Sequence, residues 1–565
     1  MHGRLKVKST EEQKEAKRIE QEKKLKLYTA ATEEAFRKRK DGEYDDEALK
    51  VSGEILYRNS DFSTMWNFRK EIFLHMNDNK NEDELQELFD SELDFLEACL
   101  KYNPKSYGTW HHRCFVLDTM PRPDWEKELK LCNLFLQYDE RNFHCWDYRR
   151  FIVKRSQVTP EAELEFTTNK ISSNFSNYSS WHYRSKLLPF IHPDPSSPAG
   201  VKEDILLQEY EMVQNAFFTD PDDQSAWFYY RWLLGRGKKT VGINCVCCDK
   251  IHSKIIVSTT EPVLVPDTVE LKVEVDGSHM PMTWRTASNN IGYSNLWISD
   301  IPEDFKISGS CTLTLTLGGS STSCSCELLL QDDSTEECYF HKDTPAIWFR
   351  SELSAAATTT LKRELDSVKE LHEMEPENKW VLLTSISLMK SLDSHSYEDT
   401  IMDELKTLET IDSHRTSYYR DLRSKYLTEN ILERTDLSKR CLRLRDVGLT
   451  VFYHAKLLPL LVELDLSNNR LTSLRDVRHI YCLQRLCVDD NQISKLQGLE
   501  SIVHLKEISI RNNEIKREEE FQFLRKCPLV VVNIAGNPVC DSVNVNSVLR
   551  NILTGLKKID DIKIS

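Results

Sequence analysis

The stretch Asn103-Pro104-Lys105-Ser106-Tyr107-Gly108-Thr109-Trp110-His111-His112-Arg113 carries a skeleton that returns along the first half of the chain. Trp and Arg stand three apart at Trp66/Arg69, Trp110/Arg113, Trp146/Arg149 and Trp181/Arg184, and a fifth copy, Trp227/Arg231, is one residue longer. Seven residues before each Trp stands Asn59, Asn103, Asp139, Asn174 or Asp220. Two after it stands Phe68, His112, Tyr148, Tyr183 or Tyr229. Trp and Arg at this spacing share one face of a helix, and a buried indole needs a partner for its N–H. The upstream Asn or Asp suits the turn before the helix, where its side chain can cap free backbone N–H groups. Between the Trp helices lie amphipathic partners such as 83–101, with Leu85, Leu88, Phe89, Leu93, Leu96 and Leu100 at apolar positions. The spacing predicts stacked helix pairs, each burying its faces only against its neighbours.

Beyond these repeats the pattern changes. Residues 240–350 are rich in Val, Thr, Ser and Gly, and 263–275 and 311–317 alternate like strands, as in Leu313-Thr314-Leu315-Thr316-Leu317. About 110 such residues read as a β-sandwich inserted into the helical array. Helix returns at 361–374, and Trp380 with Glu373 seven before it reads as a worn further repeat. The helical domain therefore spans 1–239 and 351–440. From 441 to 565 the pattern L-x-L-x-x-N-x-L is filled by Leu464, Leu466, Asn469 and Leu471, then from Leu486, Ile508 and Val532, which marks leucine-rich repeats. The Asn of each copy is expected to bond backbone groups at the turn after a short strand.

At 565 residues and 66.0 kDa the chain is too long for one core. Its net charge of -15 disfavours nucleic acid as a partner. The charge is uneven: residues 1–40 hold 13 Lys/Arg against 7 Asp/Glu, a mixed-charge, helix-prone head. No N-terminal apolar segment suggests a signal peptide, and no apolar run approaches the ~18 residues of a membrane span. The C-terminus lacks the Cys of a CaaX prenylation signal. The 16 Cys then read as reduced thiols of a cytoplasmic protein. The run Cys245, Cys247, Cys248, with His252 nearby, reads as unliganded thiols rather than a metal site.

The five Trp units resemble the repeats of protein prenyltransferase α subunits. A tetratricopeptide array would keep a fixed period near 34 residues, which this chain does not. A helical domain, an immunoglobulin-like insert and leucine-rich repeats, in that order, resemble the α subunits of Rab geranylgeranyltransferases. The resemblance implies a heterodimer with a prenyltransferase β subunit, which holds a catalytic Zn2+. Zinc would make a thiolate of the substrate Cys, which attacks geranylgeranyl diphosphate. It also implies Rab GTPase substrates presented by a Rab escort protein.

Two turns carry over residue by residue. Lys105 and Tyr107 match the family's Pro-Lys-Asn-Tyr-x-x-Trp-His-His-Arg, in which the Lys meets the diphosphate and the Tyr lines the pocket; Ser106 replaces the Asn. Asn142 and His144 match the family's Lys-Asn-Tyr-His-x-Trp as pocket contacts, while Phe143 replaces the Tyr and loses a hydroxyl. His111, His112, the five Trp and their Arg read as scaffold. His2, on the basic head, is a candidate transient ligand of the partner's zinc. The competing reading is a non-catalytic interaction scaffold.

Overall fold

The computed structural model describes residues 11–194, 200–235, 241–249, 253–265, 269–275, 278–286, 292–302, 309–317, 323–330, 338–342, 349, 358–541, 545–560 and 562–563. The helices run α1 (Glu11–Asp41), α2 (Asp46–Arg58), α3 (Ser63–Asn77), α4 (Glu82–Tyr102), α5 (Tyr107–Thr119), α6 (Trp125–Tyr138), α7 (Phe143–Val153), α8 (Pro160–Ser173), α9 (Tyr178–Ile191), α10 (Glu203–Thr219) and α11 (Gln224–Leu234). Two compact units divide the chain, residues 1–193 with 223–229 and residues 194–222 with 230–565.

The Trp helices are α3, α5, α7, α9 and α11, each following an outer helix. Trp66, Trp110, Trp146, Trp181 and Trp227 are buried. Four indoles donate to the carbonyl six residues upstream: Trp66 to Ser60, Trp110 to Pro104, Trp146 to Glu140 and Trp181 to Phe175, all at 2.8–2.9 Å. The Trp thus closes the turn that leads into its own helix. The Arg three residues on reaches into the next hairpin, where a buried Glu awaits it. Arg69 pairs with Glu92 on α4, Arg113 with Glu128 on α6 and Arg149 with Glu163 on α8. The residue two after the next Trp joins the same carboxylate: His112 Nε2 lies 2.9 Å from Glu92, and Tyr148 donates to Glu128. Burial alone would raise the Glu92 carboxyl, but Arg69 and His112 together hold it down at about 2.

The structure moves three sequence assignments. The Asn or Asp seven before the Trp ends the preceding helix as its C-cap (Asn59, Asn103, Asp139, Asn174 and Asp220). In three turns its side chain accepts a turn N–H two residues on, from Lys105, Arg141 or Ser176. The N-caps are Ser106, Asn142 and Asn177, four before the Trp. The fifth copy is not stretched: Tyr230 takes the Arg position and donates to Glu364 at 2.6 Å. The sixth hairpin, α12 (Thr358–Met374) and α13 (Lys379–Asp393), has N-cap Asn378. That cap puts buried Leu382, not Trp380, in the Trp position. A last pair follows, α14 (Glu398–Ile411) and α15 (Thr416–Arg434).

Between α11 and α12 stand nine strands among the described residues: β1 (Ile243–Asp249), β2 (Lys254–Val263), β3 (Val269–Val275), β4 (Ser278–Met280), β5 (Arg285–Thr286), β6 (Ser294–Asp300), β7 (Gly309–Leu317), β8 (Ser323–Leu330) and β9 (Cys338–Lys342). They form two antiparallel sheets, ordered β5-β6-β2-β1-β9 and β4-β3-β7-β8. Val246, Ile255, Val257 and Trp297 from one sheet share a core with Val269, Leu271, Val273 and Met280 from the other.

The C-terminal part stacks β10 (Cys441–Arg443), β11 (Glu463–Asp465), β12 (Arg485–Cys487), β13 (Glu507–Ser509), β14 (Val531–Asn533) and β15 (Lys558–Ile559) as parallel strands. Antiparallel β16 (Ile562–Lys563) ends the sheet after α16 (Val545–Ile552). Leu442, Leu464, Leu486, Ile508 and Val532 lie in register and fill one core. Each buried Asn ties adjacent turns: Asn469 donates to Leu444 O and Leu466 O and accepts from Leu449 N, and Asn491 and Asn513 repeat the pattern.

Candidate functional site

The turn between α4 and α5 is held from both sides, because a solenoid must stitch each turn to the next. Asn103 Nδ2 donates to Ser60 Oγ of the preceding turn at 3.1 Å, and Ser106 Oγ donates to Ser60 O at 2.8 Å. From the following repeat, Asn142 Nδ2 donates to Pro104 O at 3.0 Å. Gly108 lies so close to Trp66 that a Cβ there would meet the indole at 2.5 Å. On this frame the Lys105 side chain stands 70% exposed, and its Nζ lies 3.8 Å from Asp139 Oδ2 in the equivalent turn of the next repeat.

Tyr107, the first residue of α5, is also exposed. Its ring meets buried His144 edge-on at 4.2 Å between centroids. Phe143, half exposed, lies 4.0 Å from the same imidazole and 6.1 Å from Tyr107. Burial first, and the nearby Lys105 charge also, lower the His144 pKa, against the pull of Asp147. The imidazole is therefore neutral at pH 7, with one N–H to give and one lone pair to accept. The structure thus brings Lys105, Tyr107 and His144 together: a solvated cation, a phenol and a neutral imidazole beside two aromatic faces. That set suits an anion carrying an apolar tail.

Asn142 sits elsewhere. It is buried, its Oδ1 caps α7 by accepting from His144 N and Cys145 N, and its Nδ2 is committed to Pro104 O. It frames the turn rather than lining an open pocket. His112 is buried in the Glu92 cluster, and His111 Nδ1 lies 3.1 Å from Lys70 Nζ. His2 and His252 lie outside the described residues.

The sequence reading missed the buried Glu of the outer helices α4, α6, α8, α10 and α12. Glu92, Glu128, Glu163 and Glu209 each stand eighteen residues before a repeat Trp, and Glu364 keeps the same distance from Leu382. That regular acid was the available signal. The Cys run of β1 is split by strand alternation: Cys245 and Cys247 face one side of the sheet and Cys248 the other, so the three cannot close on one ion.

Residues 89–120, 125–156, 160–191 and 206–237 match the protein prenyltransferase alpha subunit repeat. Residues 243–350 match the Rab geranylgeranyl transferase alpha-subunit insert domain. The α2–α3 hairpin around Trp66 falls outside these matches. The chain is 45% identical over 569 residues to the geranylgeranyl transferase type-2 subunit alpha of Sus scrofa, covering 99% of this chain and 100% of that one. The Homo sapiens subunit gives the same figures. The Dictyostelium discoideum subunit is 39% identical over 286 residues, covering 49% of this chain and 90% of its own. Among solved structures, Candida albicans protein geranylgeranyltransferase-I complexed with GGPP aligns over 36% of this chain and 66% of its own, at 23% identity and a TM-score of 0.30.

Proposed function

The chain belongs to the family of geranylgeranyl transferase type-2 α subunits, and from this premise we infer how its residues serve prenyl transfer. It is the α subunit of a heterodimeric Rab geranylgeranyltransferase. The lipid donor is geranylgeranyl diphosphate, and the acceptors are C-terminal cysteines of Rab GTPases delivered by an escort protein. A Zn2+ held by the β subunit would lower the pKa of the substrate thiol and so favour its thiolate. As the C–O bond to the diphosphate breaks, negative charge grows on the departing oxygens. Lys105 neutralises that charge, Tyr107 donates its hydroxyl proton to a phosphate oxygen, and His144 supports the Tyr107 ring from behind. Phe143 offers only a face to the lipid.

Lys105 carries this reading. The turn that bears this exposed ammonium is tied by three hydrogen bonds into the two neighbouring turns and by a fourth, from Trp110, within its own hairpin, so the backbone beneath the cation is held in place. The division into 1–239, 240–350, 351–440 and 441–565 belongs to the same proposal. Two antiparallel sheets over one core support an immunoglobulin-like insert. In-register parallel strands with an Asn ladder support leucine-rich repeats. The test is co-expression with a prenyltransferase β chain and transfer of tritiated geranylgeranyl to an escorted Rab. An assembled heterodimer that transfers no lipid would leave the scaffold reading in its place.

A further inference from the structure

We propose that Asn142 is a positioning residue whose amide nitrogen fixes the turn bearing Lys105, a role that rests on the reading of Lys105 given above. The orientation of its amide is set by its neighbours. Backbone N–H groups of His144 and Cys145, at 3.1 and 3.4 Å, face only the oxygen. The nitrogen is left for Pro104 O, which also accepts from Trp110 Nε1 at 2.9 Å. The carbonyl joined to the Lys105 nitrogen is thus gripped by its own hairpin and by the next. Asn142 is 3% exposed and does not reach a ligand itself. Its effect passes through the peptide plane between Pro104 and Lys105.

Asn177, at the same place in the next repeat, separates capping from tying. It also caps its helix, with Oδ1 accepting from Ser180 N at 3.2 Å. Its Nδ2, however, is buried with no partner among the described residues. Capping therefore does not require the second half of the amide. At Asn142 that half is used, and the turn it ties is the one that carries the exposed cation.

The experiment is Asn142→Asp in the heterodimer with its β subunit, with Asn177→Asp as the matched control. Aspartate keeps the cap acceptor and suits a helix N-terminus, but it sets an oxygen against Pro104 O. Asn142→Asp should slow single turnover with geranylgeranyl diphosphate already bound by about five- to twentyfold, with lipid Kd changed less than about threefold. Asn177→Asp should leave both unchanged. Combined with Lys105→Ala, Asn142→Asp should add no further slowing, since both act at one place. Additive losses, or a Kd change as large as the rate change, would overturn the proposal. So would a normal rate in Asn142→Asp while Lys105→Ala is slow, which leaves the reading of Lys105 standing. If Lys105→Ala is itself as fast as the parent, both ideas fall together. Should Asn142→Asp not assemble, Asn142→Ser, which keeps an acceptor and loses the reach to Pro104 O, replaces it with the same expectations.

Discussion

Lys105 reaches across to Asp139, Nζ to Oδ2 at 3.8 Å, so the exposed cation of one turn is steered by the C-cap of the next outer helix. Both groups are solvated, and such a pair contributes about 0–1 kcal/mol. Its worth lies in direction rather than stability. The ammonium is kept beside Tyr107 and His144 yet is free to exchange one carboxylate for the richer charge of a diphosphate.

Lys105→Ala should therefore lower the single-turnover rate more than it weakens lipid binding, because the charge it meets grows toward the transition state. Loss of one such donor costs about 10²–10³ in rate where it acts alone. Here roughly ten- to a hundredfold is expected, because on the proposed function the β subunit should supply further cations to the same phosphates. Tyr107→Phe should cost less, as one neutral hydrogen bond is worth about 0.5–1.5 kcal/mol. Lys101→Ala and Lys130→Ala are controls: both side chains lie on exposed helix faces, paired with Glu97 and Glu126. Rapid-quench kinetics with the lipid prebound separate chemistry from binding. An unchanged rate in Lys105→Ala would reduce this turn to a connector.

Glu128 should matter to folding alone. It and Arg113 are each 1% exposed in their ion pair, and Tyr148 donates to the same carboxylate. Removing one member of a buried pair leaves the other charge stranded, at roughly 3–5 kcal/mol. Glu128→Ala should lower the denaturation midpoint sharply, whereas Glu126→Ala, which breaks a solvated pair, should hardly move it. Guanidinium melts of the two heterodimers decide it; equal midpoints would mean that the Arg–Glu ladder is not what staples the hairpins.

That ladder also marks where sequence reading stopped. Trp66, Trp110, Trp146 and Trp181 with their Arg were legible because two large, uncommon residue types recur at one spacing. Their acidic partners were not, since a buried Glu looks like any helix-surface Glu until its neighbour is known. The slip at Trp380 has the same origin. Leu382 occupies the Trp position there, and an unrelated Trp two residues earlier drew the register to itself. Asn378, at the N-cap position of Asn142 and Asn177, held the right register. The matched turns named Lys105, Tyr107 and His144, which the fold brings near one another. Asn142, expected as a pocket contact, is buried and bonded into the turn, which sequence could not say because it does not show which face of a turn is buried.

Glu404 gives stability a pH dependence of defined sign. Burial pushes its carboxyl up to about 7 from 4.5, against the pull of Ser385 and Lys369. Its Oε2 is buried without a hydrogen-bond partner among the described residues. The folded chain thus holds a proton that the unfolded chain releases. Its contribution is full below about 4.5, falls as pH rises through the interval to about 7, and is lost above it. Glu404→Gln keeps the acceptor for Ser385 Oγ and removes the titration. It should stabilise the protein at pH 8 by on the order of 1–3 kcal/mol, with the gain shrinking toward pH 5. Thermal melts across this range that stay parallel for both proteins would sink the idea.

The insert and the C-terminal repeats should tolerate joint removal better than the loss of either one. The outer face of the insert's first sheet, Cys245, Cys247, Ile256, Leu296 and Ile298, packs on Leu460, Tyr481 and Cys482 of the repeats. At its edge Asp249, fully buried, accepts from Tyr481 at 3.2 Å and lies 3.0 Å from His504 Nε2. Deleting 441–565 alone bares this apolar face and takes Tyr481 and His504 away from the Asp249 carboxylate. Replacing 240–350 alone by a short linker bares Leu460, Tyr481 and Cys482 and takes Asp249 away from His504. Each single removal therefore exposes what the double removal deletes. One cost is common to any loss of the repeats, because Leu432 on α15 belongs to their core. None of these residues lies near Lys105 in sequence or belongs to its unit. The doubly shortened heterodimer should keep transfer to escorted Rab within about tenfold, or ~1.4 kcal/mol, of the parent. Its melting temperature should exceed that of the chain lacking 441–565 alone. A double deletion that melts lower than both single deletions would show that the two parts do not depend on each other, and a larger loss of transfer in a folded heterodimer would show that they serve the reaction itself.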